Sequence, residues 1–172
     1  MPYLVSDTSV LIDLERGGLL EAVFSCAKTF VVPDLLYERE LASDIGPRLL
    51  TLGLDVVDLK PQELEQAQQV SETHRGLSMA DCFALILATR PDHWLITGDS
   101  LLRKVALARS MQAYGLLWLL DQMHDSGLVA PNQLAAGLKV ISEHPRARLP
   151  ANEVQSRMAA WTVKDAAQAP EF

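Results

Sequence analysis

The stretch PYLVSDTSVLIDL, Pro2–Leu14, decides the fold. Tyr3-Leu4-Val5 is a short apolar run, Ser6-Asp7-Thr8-Ser9 a polar junction, and Val10-Leu11-Ile12 the start of a second apolar segment. The order reads as a buried strand passing straight into a helix, with a carboxylate at the strand's C-terminal end. In an open parallel α/β sheet, ligands bind outside the carboxyl ends of the strands. Asp7 is therefore the first candidate functional group, and three later acidic residues are expected to converge on it.

Working outward, strand and helix signals alternate. The helix from Val10 is interrupted at Gly17-Gly18, and a second short helix is expected to run to about Lys28. Thr29-Phe30-Val31-Val32 reads as a strand, followed by Pro33 and Asp34 at favourable positions for opening a helix through Leu41. Gly46-Pro47 reads as a break, and 54–59 as a short strand. Pro61 opens a polar helix to about His74, and Ser78 opens the most apolar helix, Met79 to Thr89. His93–Thr97 and about 112–116 read as strands, with a helix from Ser100 to Arg109 between them. The expected class is α/β, three layers (α/β/α) around a central parallel sheet. Beyond Trp118 only helices are expected, at 116–126, 132–143 and 151–161. The domain expectation is a nuclease-sized unit over 1–120, a C-terminal helical extension over 121–164 and a frayed tail over 165–172.

Composition narrows the function classes. The chain has 172 residues, 49% of them hydrophobic, which is ample for a core and excludes global disorder. A net charge of -7 argues against gripping nucleic acid across a broad basic face, but not against binding phosphate through divalent cations in an acidic pocket. No apolar run approaches membrane-spanning length, and no secretory leader is expected at the N-terminus. Cys26 and Cys82 lie far apart in apolar settings, as buried thiols of a reducing cytoplasm do.

Each acid has a local structural reading. Asp7 and Asp99 suit helix N-caps, Ser78 and Asp81 have capping-box spacing, and Glu38 reads as a solvated helix charge. The joint pattern says more. Asp7 and Asp99 both follow apolar strands, while Glu38 and Asp81 lie in first turns of helices entered from the same sheet edge. Carboxylates crowded together repel unless cations neutralise them. A cluster without His or Cys suits a hard cation such as Mg²⁺ or Mn²⁺. Paired ions of this kind hydrolyse phosphodiesters.

The four segments SDTSVLIDL, VVPDLLYEREL, LSMADCFALILA and LITGDSLLRKVA resemble, in order and spacing, the four motif blocks of PIN-domain ribonucleases. The resemblance covers about residues 1–120. It implies a PIN-like fold and Mg²⁺- or Mn²⁺-dependent cleavage of RNA. It also implies a VapC-type toxin, held by a separately encoded antitoxin and assembled as a homodimer or larger. Carried over by residue, it implies that Asp7, Glu38, Asp81 and Asp99 are the metal-binding catalytic acids, with Ser9 and Thr97 supporting them. Glu40 competes with Glu38 for the second position. On a helix the two point about 200° apart. Glu38 is chosen because Leu35 and Ala42 share its side and are expected to face inward.

Arg75, Arg103 and Lys104 are candidate contacts to RNA phosphate; a solvated loop position or complementation of a helix dipole accounts for them equally well. A PIN-fold binding or assembly module with little nuclease activity is the competing reading from another class. A phosphatase of the haloacid-dehalogenase type fits less well, since Ser9 stands where that opening motif carries a second Asp.

Overall fold

The structure, a computed structural model, describes residues 2–26 and 29–166, with side chains to 162. Its centre is a sheet of five parallel strands: β1 (Tyr3–Ser6), β2 (Thr29–Pro33), β3 (Asp55–Val57), β4 (His93–Ile96) and β5 (Ala113–Tyr114). The order across the sheet is β3-β2-β1-β4-β5. The chain builds outward from β1 to β3, then returns to the other side of β1 with β4. The β1–β4 boundary is therefore the topological switch point, where loops diverge and leave a crevice at the carboxyl ends. Val5 pairs with Val31 on one side and Leu95 on the other, and Ser6 with Ile96. Leu4, Val5 and Ser6 are all fully buried, as a strand covered on both faces requires. The fold is three-layer α/β/α, the class its sequence implies.

The helices are α1 (Thr8–Arg16), α2 (Leu20–Ser25), α3 (Asp34–Leu36), α4 (Gly46–Leu52), α5 (Pro61–Thr73), α6 (Met79–Leu87), α7 (Ser100–Ala108), α8 (Leu116–Ser126), α9 (Pro131–Glu143) and α10 (Ala151–Ala166). Where a continuous helix was expected through Leu41, α3 instead passes into a π turn, Tyr37–Leu41. Pro33 ends β2 and takes the N-cap position of α3 rather than its first helical position. Gly46-Pro47 opens α4 instead of breaking the chain, because proline lacks only an N–H that a first turn leaves unbonded anyway. The strand expected over 112–116 is confined to two residues, since Leu116 already belongs to α8.

Two compact units are present. One comprises Met1–Ile12 with Ala27–Leu116 and contains the whole sheet; the other comprises Asp13–Cys26 with Leu117–Phe172. The second unit thus draws on an N-terminal segment as well as on the C-terminal helices. Within it, a Cβ on Gly137 of α9 stands 2.8 Å from the Gly17 carbonyl oxygen and 2.7 Å from Leu19, so glycine is what allows this approach. Arg157 of α10 forks onto Asp121 of α8, with Nε–Oδ1 2.8 Å and Nη2–Oδ2 2.7 Å. Helix α10 continues through Asp165 and Ala166, where the frayed tail was expected to begin; 167–172 lie outside the described residues. Among the described residues no helix is long and apolar enough to cross a membrane. Cys26 and Cys82 are free and buried, and burial pushes the Cys82 thiol further up.

Candidate active site

Asp7 sits where β1 ends and α1 begins. Its backbone N–H continues the ladder, donating to the Ile96 carbonyl at 3.0 Å. Its side chain is only 4% exposed. Oδ1 accepts from the Val10 N–H at 3.1 Å and the Ser9 hydroxyl at 2.9 Å; Oδ2 accepts from the Gly98 N–H at 3.2 Å and from the Thr97 hydroxyl. Asp7 is an N-cap, then, and a buried one. Burial pushes its carboxyl above the ordinary value, against the opposing pull of the Thr97, Val10, Ser9 and Gly98 hydrogen bonds.

Strand β4 brings the fourth motif alongside. Thr97 is fully buried; its Oγ1 donates to Asp7 and accepts from the Asp99 N–H at 3.0 Å. Its own N–H donates to the Tyr114 carbonyl. A Cβ on Gly98 stands 3.1 Å from Ser9 Oγ, so the turn passes close over the start of α1. Asp99 is half-buried and caps α7 through Leu102 N–H, 2.8 Å from Oδ1. The structure thus joins Asp7, Ser9, Thr97 and Asp99 in one hydrogen-bonded group.

Asp81 occupies the first turn of α6 in a full capping box: its Oδ2 accepts from the Ser78 N–H at 3.0 Å, and its N–H donates to Ser78 Oγ at 3.1 Å. Its structural reading is realised, and its carboxylate remains half-exposed.

The second acid differs from expectation. The fully buried residues of this segment are Leu36 and Leu41, whereas Leu35 and Ala42, expected to face inward, are only half-buried. For Ala42 the reason is the π turn: its N–H bonds the Tyr37 carbonyl five residues back, which re-phases the side chains after the turn and leaves Leu41 rather than Ala42 buried; Leu35 precedes the turn and neighbours the buried Leu36 on α3. Glu38 and Glu40 are both exposed. Glu40 Oε2 accepts at 2.5 Å from the hydroxyl of Thr8, the residue that follows Asp7 in the chain. Thr8, Gly98 and the phase of the π turn were invisible to pattern reading, since none has a periodicity signal.

Among the basic candidates, Arg75 and Lys104 are exposed. Arg103 is half-buried, and its Nη2 donates to the Thr97 carbonyl at 3.0 Å. Among the described residues, no three His, Cys, Asp or Glu side chains stand close enough to enclose one ion. The carboxylates of Asp7 and Asp99 offer oxygen ligands only, and Mg²⁺ characteristically takes one or two carboxylates and keeps its waters. In ligand type alone, Asp7 and Asp99 fit a hard divalent cation.

A family model described as a PIN domain matches residues 3–162. The chain belongs to the PIN-domain family. Among curated proteins, none matches it. The match extends past the sheet-bearing unit, to residue 162. PIN domains have a nuclease-type fold, and in this one the carboxyl end of the central strand carries the buried acid.

Proposed function

We propose that this PIN domain is a metal-dependent endoribonuclease hydrolysing RNA phosphodiester bonds. The observation that carries the reading is the burial of Asp7, held by four donors at the switch point of a parallel sheet. A cap alone gains nothing from burial, and desolvating a carboxylate costs stability. The four donors replace its lost hydration, and a cation beside it would offset the negative charge that burial leaves there.

Asp7 and Asp99 are the residues proposed to hold Mg²⁺ or Mn²⁺, with Asp81 and the second glutamate acting through the ion's waters rather than as direct ligands. When bound, such ions activate water and stabilise the leaving oxygen. The chain's own contribution is orientation. Ser9 and Val10 bond Oδ1 of Asp7, while Thr97 and Gly98 bond Oδ2, so both oxygens are held in place. Glu40, tied to Thr8, supports this reading as the second acid better than Glu38 does. Arg75 and Lys104 are exposed cations suited to RNA phosphate. The proposal extends to a cytoplasmic toxin of a type II pair, neutralised by an antitoxin and working as a homo-oligomer.

A second reading is a PIN-fold binding module with little nuclease activity. It is favoured by one observation: Asp81 and Asp99 each have an oxygen engaged in helix capping.

Mn²⁺ titration calorimetry on the wild type and Asp7→Asn, paired with cleavage of mixed single-stranded RNA, separates these readings. Binding that Asp7→Asn abolishes, together with metal-dependent cleavage, is the expected result. Binding without cleavage by the wild type favours the binding module. Absence of binding returns the acids to their capping roles and removes the functional claim.

A further inference from the structure

Arg103 stands in α7, one turn beyond Asp99. Its guanidinium folds back so that Nη2 meets the Thr97 carbonyl. Strand β5 ends at Tyr114 and the chain enters α8 at Leu116, so the guanidinium supplies a donor that a longer fifth strand would have offered. Gly115 leaves the room: a Cβ there stands 2.0 Å from Nη2 and 3.2 Å from Cζ of Arg103. The need is for space. Any other residue at 115 drives the guanidinium out of its slot.

The arrangement is costly. Arg103 Nε is buried with no hydrogen-bond partner among the described residues. An unsatisfied donor on a charged group lowers stability, so a purely structural arginine gains little here over an apolar side chain. What Arg103 touches is the hub of the acid group, for Thr97 gives its hydroxyl to Asp7 and takes the Asp99 N–H.

We infer that Arg103 is a positioning residue, seated in the slot left by Gly115, which holds the Thr97–Asp99 turn against Asp7. This assigns the guanidinium to the protein's own backbone rather than to RNA phosphate. Its consequence for activity rests on the metal-dependent reading above; its consequence for the turn does not.

Hydrogen exchange at the Gly98 and Asp99 amides of the metal-free chain reads the turn directly. Mn²⁺ titration calorimetry and RNA cleavage are the further readouts. Arg103→Met and Gly115→Ala are expected to speed exchange at both amides by about tenfold or more, a local opening without global unfolding. Both are expected to weaken Mn²⁺ binding by about 10–100-fold, the usual effect of losing a group that orients a ligand. In cleavage, kcat falls and KM stays, while Arg109→Met, at the end of the same helix, changes neither. Arg103→Lys keeps a charge but loses the fork, and is expected to lie between wild type and Arg103→Met. It carries the test if Arg103→Met fails to fold.

Unchanged amide exchange in a folded Arg103 or Gly115 variant overturns the inference. A raised KM with unchanged kcat also overturns it, giving Arg103 to the RNA. A wild type that binds no Mn²⁺ defeats the metal reading alone, and the exchange rates still decide the role of Arg103.

Discussion

The hydroxyl of Thr97 donates to Oδ2 of Asp7 across ninety residues of sequence. Both side chains are buried, and the same hydroxyl oxygen receives the Asp99 N–H. One threonine therefore ties the first of the four candidate acids to the backbone of the fourth. Nothing of comparable shape replaces it, because valine matches its volume but neither donates nor accepts.

Thr97→Val leaves an Asp7 oxygen and the Asp99 N–H each short of a partner in a buried site. Stability is expected to fall by about 1–3 kcal/mol, the cost of an unsatisfied buried group. Urea unfolding of the two proteins measures it; a loss within error of zero shows that water takes over both bonds.

The π turn sets the roles of two glutamates. Glu40→Gln is expected to weaken Mn²⁺ binding by about 10–100-fold, since it is Glu40 that reaches the Asp7 junction through Thr8. Glu38→Gln is expected to leave the affinity near that of the wild type. Calorimetry on the pair decides, and the reverse order restores Glu38 as the second acid.

Gly46 opens α4 against the π turn. A Cβ there stands 2.6 Å from the Leu41 carbonyl oxygen and 2.9 Å from Tyr37 Cε2, and neither can yield without moving the backbone or the ring. Gly46→Ala is expected to cost about 1–3 kcal/mol by overpacking. Because the strain falls on the π turn, Mn²⁺ affinity should drop with stability, which a thermal melt and a titration on one sample would show together.

Acid stability has an identifiable contributor away from the site. Arg90 forks onto Glu63, 2.8 Å to each oxygen, and the Lys60 N–H adds a third bond at 2.7 Å. With only 14% of its side chain exposed, Glu63 is held down to about 2, chiefly by the Arg90 hydrogen bonds. A carboxyl depressed in the folded state stabilises it above the unfolded value of 4.5 and loses that contribution as pH falls toward about 2. At pH 6 the wild type is expected to exceed Glu63→Gln by about 1–3 kcal/mol, a range already reduced for partial solvent screening. The gap should close on acidification below 4.5; a constant gap from pH 6 to 2.5 refutes the assignment.

Local pattern alone determined a good deal of this protein. Leu4-Val5 followed by Asp7, and Leu95-Ile96 followed by Thr97-Gly98-Asp99, announce strands that end in acids, because apolar runs and capping residues are encoded within a few positions of one another. The alternation of such runs with helices specifies a parallel sheet, and a parallel sheet puts all its strand ends on one edge. Ser78 and Asp81 were readable as a capping box for the same reason of short range. What only the tertiary structure decided depends on groups distant in sequence. The π turn put Leu41, five residues after Leu36, on the buried side in place of Ala42, and it is Glu40 rather than Glu38 that meets Thr8. Arg103 reads as a surface cation until Gly115 opens a slot for it beneath the end of β4. Gly17 reads as a helix interruption until its close approach to Gly137 joins an N-terminal segment to the C-terminal helices. Periodicity reports which way a side chain faces within its own element; only packing reports what it meets there.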